Sequence, residues 1–359
     1  MTDFSSLTGV VGGLVDSGAE IGAGLSVWQD GREVVNLAAG TRNAAGDPWE
    51  LDTLVMTYST AKPFAALAAL TAVADGAIGL DQPIAEVWPE YAAHGKGRTT
   101  MRHALSHQAG LYVFPEEAAS IDALDAAALI DSLARATPLH PPGEGIGEHA
   151  LTYGHLLDGV VRHATGETLA DRFGALAAQS GWDLHLTVTE RDLARVADLA
   201  YLEPGWREAH LGDPTNVLGA VLGRPAGVLD LDVVNSRAWR TGSFPAIGLH
   251  ATASALAGFY AQLLDEDGPV ARRLGPVLHH EYVTTQATGR DLVLGFDVGW
   301  TLGFQRDDIE IGMGGVGGSS AWLNFDRGQA VAYVTRGLKD HERVDVVSDE
   351  LDRLQSEGS

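Results

Sequence analysis

Cysteine is absent from all 359 residues, which removes a disulfide framework, a thiolate metal site and a cysteine nucleophile together. Positive charge is scarce: 24 Lys and Arg stand against 48 Asp and Glu, a formal net charge of -24. No cluster of bases stands out, so neither nucleic acid nor an anionic membrane surface is an expected partner, since both need a basic footprint. No apolar run approaches the roughly 20 residues that cross a bilayer. The first residues, Met1-Thr2-Asp3-Phe4-Ser5, lack the basic-then-apolar pattern of a secretory leader. The expectation is a soluble, cytoplasmic protein. What remains is globular in character, 45% apolar and 20% charged, and long enough for one large domain or two intimately packed ones.

The stretch that carries chemistry is Thr57-Tyr58-Ser59-Thr60-Ala61-Lys62-Pro63-Phe64. It holds S-x-x-K at the mouth of an apolar helical run, Ala65 to Leu70. Residues three apart on a helix share a face, so the Lys62 ammonium can reach back to the Ser59 hydroxyl. A serine becomes nucleophilic when a base takes its proton, and a lysine among apolar side chains has its pKa lowered towards that role. The first turn adds unused backbone N–H groups and the positive end of the helix dipole. By itself S-x-x-K is also an ordinary helix start.

Along the chain, two alternating apolar stretches within Ile21 to Gly40 flank Gln29-Asp30-Gly31-Arg32, a hairpin signal. Leu54-Val55-Met56 then leads to the Ser59 helix. A further apolar helix, broken by Asp75-Gly76, precedes a turn at Leu80-Asp81-Gln82-Pro83. Thr100 to Leu111 reads as a helix ending in a glycine cap. His103 and His107 have the separation of a metal pair, but Ser106 intervenes and no acidic base lies between them, which favours a packed helix end. Alanine-rich helical sequence fills Ile121 to Ala136, and Pro138 to Gly145 is a loop that delivers the chain to a helix beginning near His149. Glu203 to Val234, rich in glycine and proline, reads either as a flexible flap over a site or as an ordinary surface connection. A helix over Ala251 to Leu264 follows. The last third alternates as strands over Gly295 to Leu302, Ile309 to Gly312, Ser320 to Phe325 and Gln329 to Thr335, with Asp326-Arg327-Gly328 turning the last pair. Glu342 to Leu354 suits an amphipathic helix. Strands at both ends with helices between predict an α+β fold, an α/β sandwich. One antiparallel sheet is formed by both chain ends with flanking helices, and a mainly helical subdomain is inserted. The chain is read as a single catalytic unit, with a sheet subdomain at roughly 1–65 and 245–359 and a helical subdomain at roughly 66–244.

Together these features resemble the serine β-lactamase and penicillin-binding-protein superfamily, most closely its class C-like branch of esterases, D-aminopeptidases and transacylases. Ser59-x-x-Lys62 matches the first motif. Leu105-Ser106-His107-Gln108-Ala109-Gly110-Leu111 looks like the branch's L-S-H-x-x-G-L, and Pro142-Gly143 matches the approach to its second motif. Gly312-Met313-Gly314-Gly315-Val316-Gly317-Gly318-Ser319 looks like the glycine-rich third motif. The resemblance covers nearly the whole chain.

Two departures stand out. The branch usually carries a tyrosine base five residues after the glycine of the Pro-Gly pair, and here that position is Glu148. A glutamate can accept a proton from Ser59, Lys62 or an incoming nucleophile, or it can neutralise Lys62 as a salt bridge. Tyr153 is the reserve candidate for the base. Met313 occupies the position where relatives carry lysine, histidine or tryptophan, so no cation is expected there to hold a substrate carboxylate, and a soft apolar wall faces the pocket. The resemblance implies an oxyanion hole from the Ser59 and Val316 amides, and a substrate pocket lined by Tyr58, Met313, Gly314 and Gly315. The bland reading of the glycine run is a bulged edge strand.

The implied activity is serine-dependent acyl transfer through acyl-Ser59, catalysed by Ser59, Lys62 and Glu148. An esterase or amidase acting on a small-molecule ester or amide leads. A transacylase passing the acyl group to an amine or alcohol in specialised metabolism is the alternative, and a catalytically silent binding protein the second. No cofactor and no metal are expected: His103, His107, His140, His149 and His155 follow no ligand pattern. The oligomeric state is not legible.

Overall fold

A computed structural model describes residues 3–212 and 217–358. In chain order the elements that build the sheet and frame the site are α1 (Ser6–Asp16), β1 (Gly22–Gln29), β2 (Arg32–Gly40), α2 (Lys62–Ala74), α3 (Met101–Leu105), α4 (Thr152–Thr165), α5 (Leu169–Ser180) and α6 (Ala253–Gln262). They are followed by β3 (Ala287–Arg290), β4 (Asp297–Trp300), β5 (Gln305–Arg306), β6 (Glu310–Gly314), β7 (Ser320–Asn324), β8 (Gln329–Thr335) and α7 (Glu342–Gly358).

The eight strands form one sheet in the order β2-β1-β8-β7-β6-β5-β4-β3, every pairing antiparallel. β1 pairs with β8 from Ala23–Thr335 to Gln29–Gln329, so the first hairpin joins the sheet's last strand and β2 forms one edge. Asp30 and Gly31 both take positive φ, 51° and 74°, the conformation a two-residue hairpin needs and Asp-Gly supplies. Successive side chains point to opposite faces. Ala23, Leu25, Val27, Val331 and Tyr333 meet Leu7 of α1 and Val347 and Leu351 of α7. The opposite face packs on α6, where Gly24 lies against Ala253 and Gly258 against the Trp28 ring. With both faces covered, β8 is buried along its whole length.

α2 is buried on every side through its first eleven residues, Phe64, Leu67 and Leu70 included, and packs on α4 and α5. A helix apolar all round belongs inside, and this one carries Lys62 into the core with it. Asp75-Gly76 ends this helix, with Gly76 at φ 75°, and no second helix follows before Pro83. The expected helix over 100–111 stops at Leu105. Ser106 Oγ donates to the Arg102 carbonyl, and His107 turns to φ 62°, which no helix tolerates. The helix expected from Ile121 begins at Ala126, where Asp125 accepts from the Ala128 amide. Residues 203–234 contain short helices, Trp206–Leu211, Val217–Leu222 and Leu231–Val234, while residues 213–216 of that stretch lie outside the described residues. The final helix runs four residues beyond its expected end. Among the described residues no helix is long and apolar enough to cross a membrane.

Candidate active site

Ser59 opens a short 3-10 turn, Ser59–Ala61, that leads directly into α2. The residue before it, Tyr58, sits at φ 52° and ψ -128°, a region a side chain rarely adopts and that costs roughly 1–3 kcal/mol. The surroundings hold it there: its hydroxyl donates to the Val228 carbonyl at 3.3 Å, its own carbonyl accepts from Ala61 N, and its backbone bridges Gly248. This kink sets Ser59 at the mouth of α2, with its hydroxyl against Lys62.

One turn on, Lys62 Nζ lies 2.7 Å from Ser59 Oγ and 3.1 Å from Glu148 Oε1. Lys62 is wholly buried, and Ser59 and Glu148 are 7% and 8% exposed. Burial lowers the Lys62 pKa, and the Glu148 carboxylate, by charge and by hydrogen bonding, works against that shift. The three groups form a continuous serine–lysine–carboxylate chain along which a proton can leave the hydroxyl.

Glu148 is placed by its backbone. The Gly110 carbonyl accepts from Leu139 N, the Gln108 carbonyl from Gly143 N and the His107 carbonyl from Gly147 N, so the segment after α3 brackets the whole proline-rich loop. His107 Nδ1 accepts from His149 N, and His149 Nε2 accepts from Leu111 N while its Nδ1 faces the Gly147 carbonyl. Gly147 is required, because a Cβ there would lie 2.5 Å from the Tyr112 ring. On the other side the buried Asp291 carboxylate accepts from Glu148 N at 3.1 Å, from Val293 N and Leu294 N, and from Trp300 Nε1 at 3.0 Å.

The glycine-rich segment faces the nucleophile. β5 pairs with β6 only at Ile311 and Gly312, which leaves Met313 and Gly314 without a strand partner on that side. Gly315 follows so close to the serine loop that a Cβ would fall 2.1 Å from the Thr57 carbonyl oxygen and 3.2 Å from Ser59 N, so only glycine fits. Met313 is buried against Ile146 and Trp300, an apolar wall beside the Glu148 loop. Tyr153 lies elsewhere: its ring is buried against His107, and its hydroxyl donates to the Leu105 carbonyl at 2.9 Å. His103 caps α3, with its Nδ1 accepting from Thr100 N, and no group of three or more His, Asp or Glu among the described residues could hold a metal ion.

Asp291, Trp300 and the strands β3 and β5 were not legible in the sequence. Asp291 sits in an unremarkable polar context, and only the folded loop shows that four donors converge on it.

The chain belongs to the Beta-lactamase family, whose model matches residues 7–353. The fold is that of a penicillin-binding-protein homologue from Caulobacter crescentus, 29% identical with a TM-score of 0.80 over 96% of this chain and 95% of that one. A family VIII carboxylesterase is 25% identical, with a TM-score of 0.83 over 98% and 97%. In Mycobacterium tuberculosis, the protein named Esterase/beta-lactamase LipL is 36% identical over 149 residues, 41% of this chain and 34% of that protein, so the match spans about a third of the relative's length.

Proposed function

We propose that this chain is a serine esterase that forms an acyl-Ser59 intermediate on a small-molecule ester. The observation that carries the reading is the buried chain Ser59–Lys62–Glu148, with contacts of 2.7 and 3.1 Å. Ser59 Oγ attacks the ester carbonyl, its proton passes to Lys62 with Glu148 sharing the charge, and the Ser59 and Val316 amides hold the tetrahedral oxyanion. The proton is then delivered to the leaving alcohol, and water, activated by the same groups, releases the acid. Glu148 takes the position that the branch usually gives to a tyrosine, and its contact with Lys62 supports a role in proton handling. Tyr153, whose hydroxyl is engaged with the Leu105 carbonyl, is set aside as the base. Met313 against Ile146, with Tyr58, Gly314 and Gly315, supports a pocket for an acyl group without a carboxylate.

The second reading is transacylation to an amine or alcohol. It draws support from the depth of the site: Ser59 and Glu148 are both under a tenth exposed, and the helix Val217–Leu222 packs on Tyr112 and Ala150 beside the Glu148 loop, which restricts water.

Intact-protein mass spectrometry after addition of a p-nitrophenyl ester tests the proposal, comparing the natural chain with Ser59→Ala. An acyl adduct on the natural chain alone supports Ser59 as nucleophile, and its faster decay with added amine or alcohol favours the transacylase. No adduct on either protein across several esters overturns acyl transfer and leaves a binding protein.

A further inference from the structure

Holding the developing oxyanion requires that the Val316 N–H point at it, and a backbone amide in a glycine-rich segment has little of its own to fix its direction. Gly317 and Gly318 both take positive φ, 97° and 109°, in a run where single bonds rotate readily. Two bonds within the segment, Gly315 N to the Ser319 carbonyl at 2.7 Å and Gly318 N to the Gly315 carbonyl, are joined by bonds from outside it.

Together these bonds set the peptide planes. Gly318 N donates to the Gly315 carbonyl at 3.1 Å, closing a turn around Val316 and Gly317. The Gly315 carbonyl and the Val316 N–H belong to one rigid peptide unit, so fixing the carbonyl fixes the N–H on its opposite edge. Gly318 N in turn shares a peptide unit with the Gly317 carbonyl. That carbonyl accepts from Arg343 Nη2 at 2.8 Å and from Lys339 N at 3.2 Å. The turn's internal bond uses the Gly318 N–H and the Gly315 carbonyl and leaves the Val316 N–H outside it.

Arg343 is itself immobilised. It lies in the first turn of α7, 3% exposed, and its Nη1 donates to Glu20 Oε2 at 2.7 Å and to Thr335 Oγ1 at 3.2 Å. Glu20, 1% exposed, has a full set of donors besides: Ile21 N and Gly22 N on one oxygen, Tyr333 Oη and Thr335 Oγ1 on the other. The fork of the guanidinium thus spans a fixed carboxylate on one arm and a loop carbonyl on the other, a geometry that suits arginine and not lysine. The glycines make room for it, since a Cβ on Gly318 would fall 2.5 Å from Arg343 Nη2.

We propose that Arg343, anchored by Glu20, is a positioning residue that orients the Val316 amide through two peptide planes joined by a hydrogen bond. The inference rests on the reading of Val316 as an oxyanion donor. Arg343 touches no reacting atom. It acts by holding the Gly317 carbonyl, which holds Gly318 N, which holds the Gly315–Val316 unit.

The test is isotope-edited infrared spectroscopy of the acyl enzyme, made with a substrate carrying 13C at the acyl carbonyl, together with steady-state kinetics. Arg343→Lys keeps a cation for Glu20 but loses the second arm, and Arg343→Gln, neutral and nearly as long, is read if the lysine variant loses its near-ultraviolet circular dichroism. In the natural chain the acyl carbonyl band should lie low in frequency, as a doubly hydrogen-bonded carbonyl does. In the variant it should rise and broaden, with kcat down by about 10- to 100-fold, less than the 10²–10³ that outright loss of a donor costs, and KM changed by less than about threefold. A folded variant with the natural band position and kcat overturns the positioning role. An unshifted band in the natural chain instead removes the oxyanion hole assumed for Ser59 and Val316, and the role of Arg343 with it.

Discussion

Replacing Glu148 with glutamine keeps the side chain's volume and removes one charge from a buried pair. Two unit charges 3.1 Å apart interact by about 5 kcal/mol at an effective dielectric of 20. Glu148 raises the Lys62 pKa and burial lowers it. Without the carboxylate the balance tips further to the neutral amine. The acid limb of kcat/KM, along which Lys62 sheds its proton, should therefore move to lower pH. The plateau should fall by about 10²–10⁴, because no carboxylate remains to share the proton taken from Ser59. The assay is the p-nitrophenolate burst by stopped flow across roughly pH 4 to 9, which separates acylation from turnover. An unchanged plateau and an unchanged limb together would refute the coupling of Glu148 to Lys62. A full plateau with a shifted limb would assign the base to Lys62 alone.

Tyr153→Phe removes the donor to the Leu105 carbonyl and should lower stability by about 1–3 kcal/mol in urea unfolding while leaving kcat/KM within a few-fold. A hundredfold loss of activity would restore Tyr153 as the base. Acid should weaken the fold through its buried histidines. Burial lowers the pKa of His107, and holds His149 at about 4 and His155 and His250 at about 3, against an ordinary value near 6.5. Below 6.5 the unfolded chain takes up protons that the folded chain refuses, so stability falls as pH drops from 6.5 towards these folded values. The slope is up to about 1.4 kcal/mol per histidine per pH unit. Urea midpoints at about pH 7 and pH 5 check this, and equal midpoints would contradict it.

The framework was legible because its signals are local. Asp30-Gly31 marks its hairpin, the alternation of Gln329 to Thr335 marks β8 at both its ends, and the apolar run after Lys62 marks a helix that must be buried. The contact of Ser59 with Lys62 follows from helical spacing alone. What escaped depends on distant partners. The 100–111 segment has helical composition, yet its last residues are recruited as hydrogen-bond partners for the loop carrying Glu148, and that demand overrides local preference. β3 and β5 are too short to alternate visibly. Asp291 and Arg343 look like surface residues in the sequence, and their burial is decided by backbone groups that other parts of the chain bring to them.

The pairing of β1 with β8 has a consequence for biosynthesis. Gln29 meets Gln329, 300 positions later. At about 5–20 residues per second the ribosome needs roughly 15–60 s to deliver the second strand after the first. Throughout that interval a β1-β2 hairpin has one edge of β1 unpaired, and its Leu25 and Val27 face has α1 but not α7 to cover it, since α7 follows β8 in the chain. An open apolar edge invites pairing with another chain. Crowded expression at high temperature should therefore divert this protein into aggregates during synthesis. Slower expression in the cold, or a holding chaperone that masks the hairpin, should raise the soluble yield with no change to the finished fold.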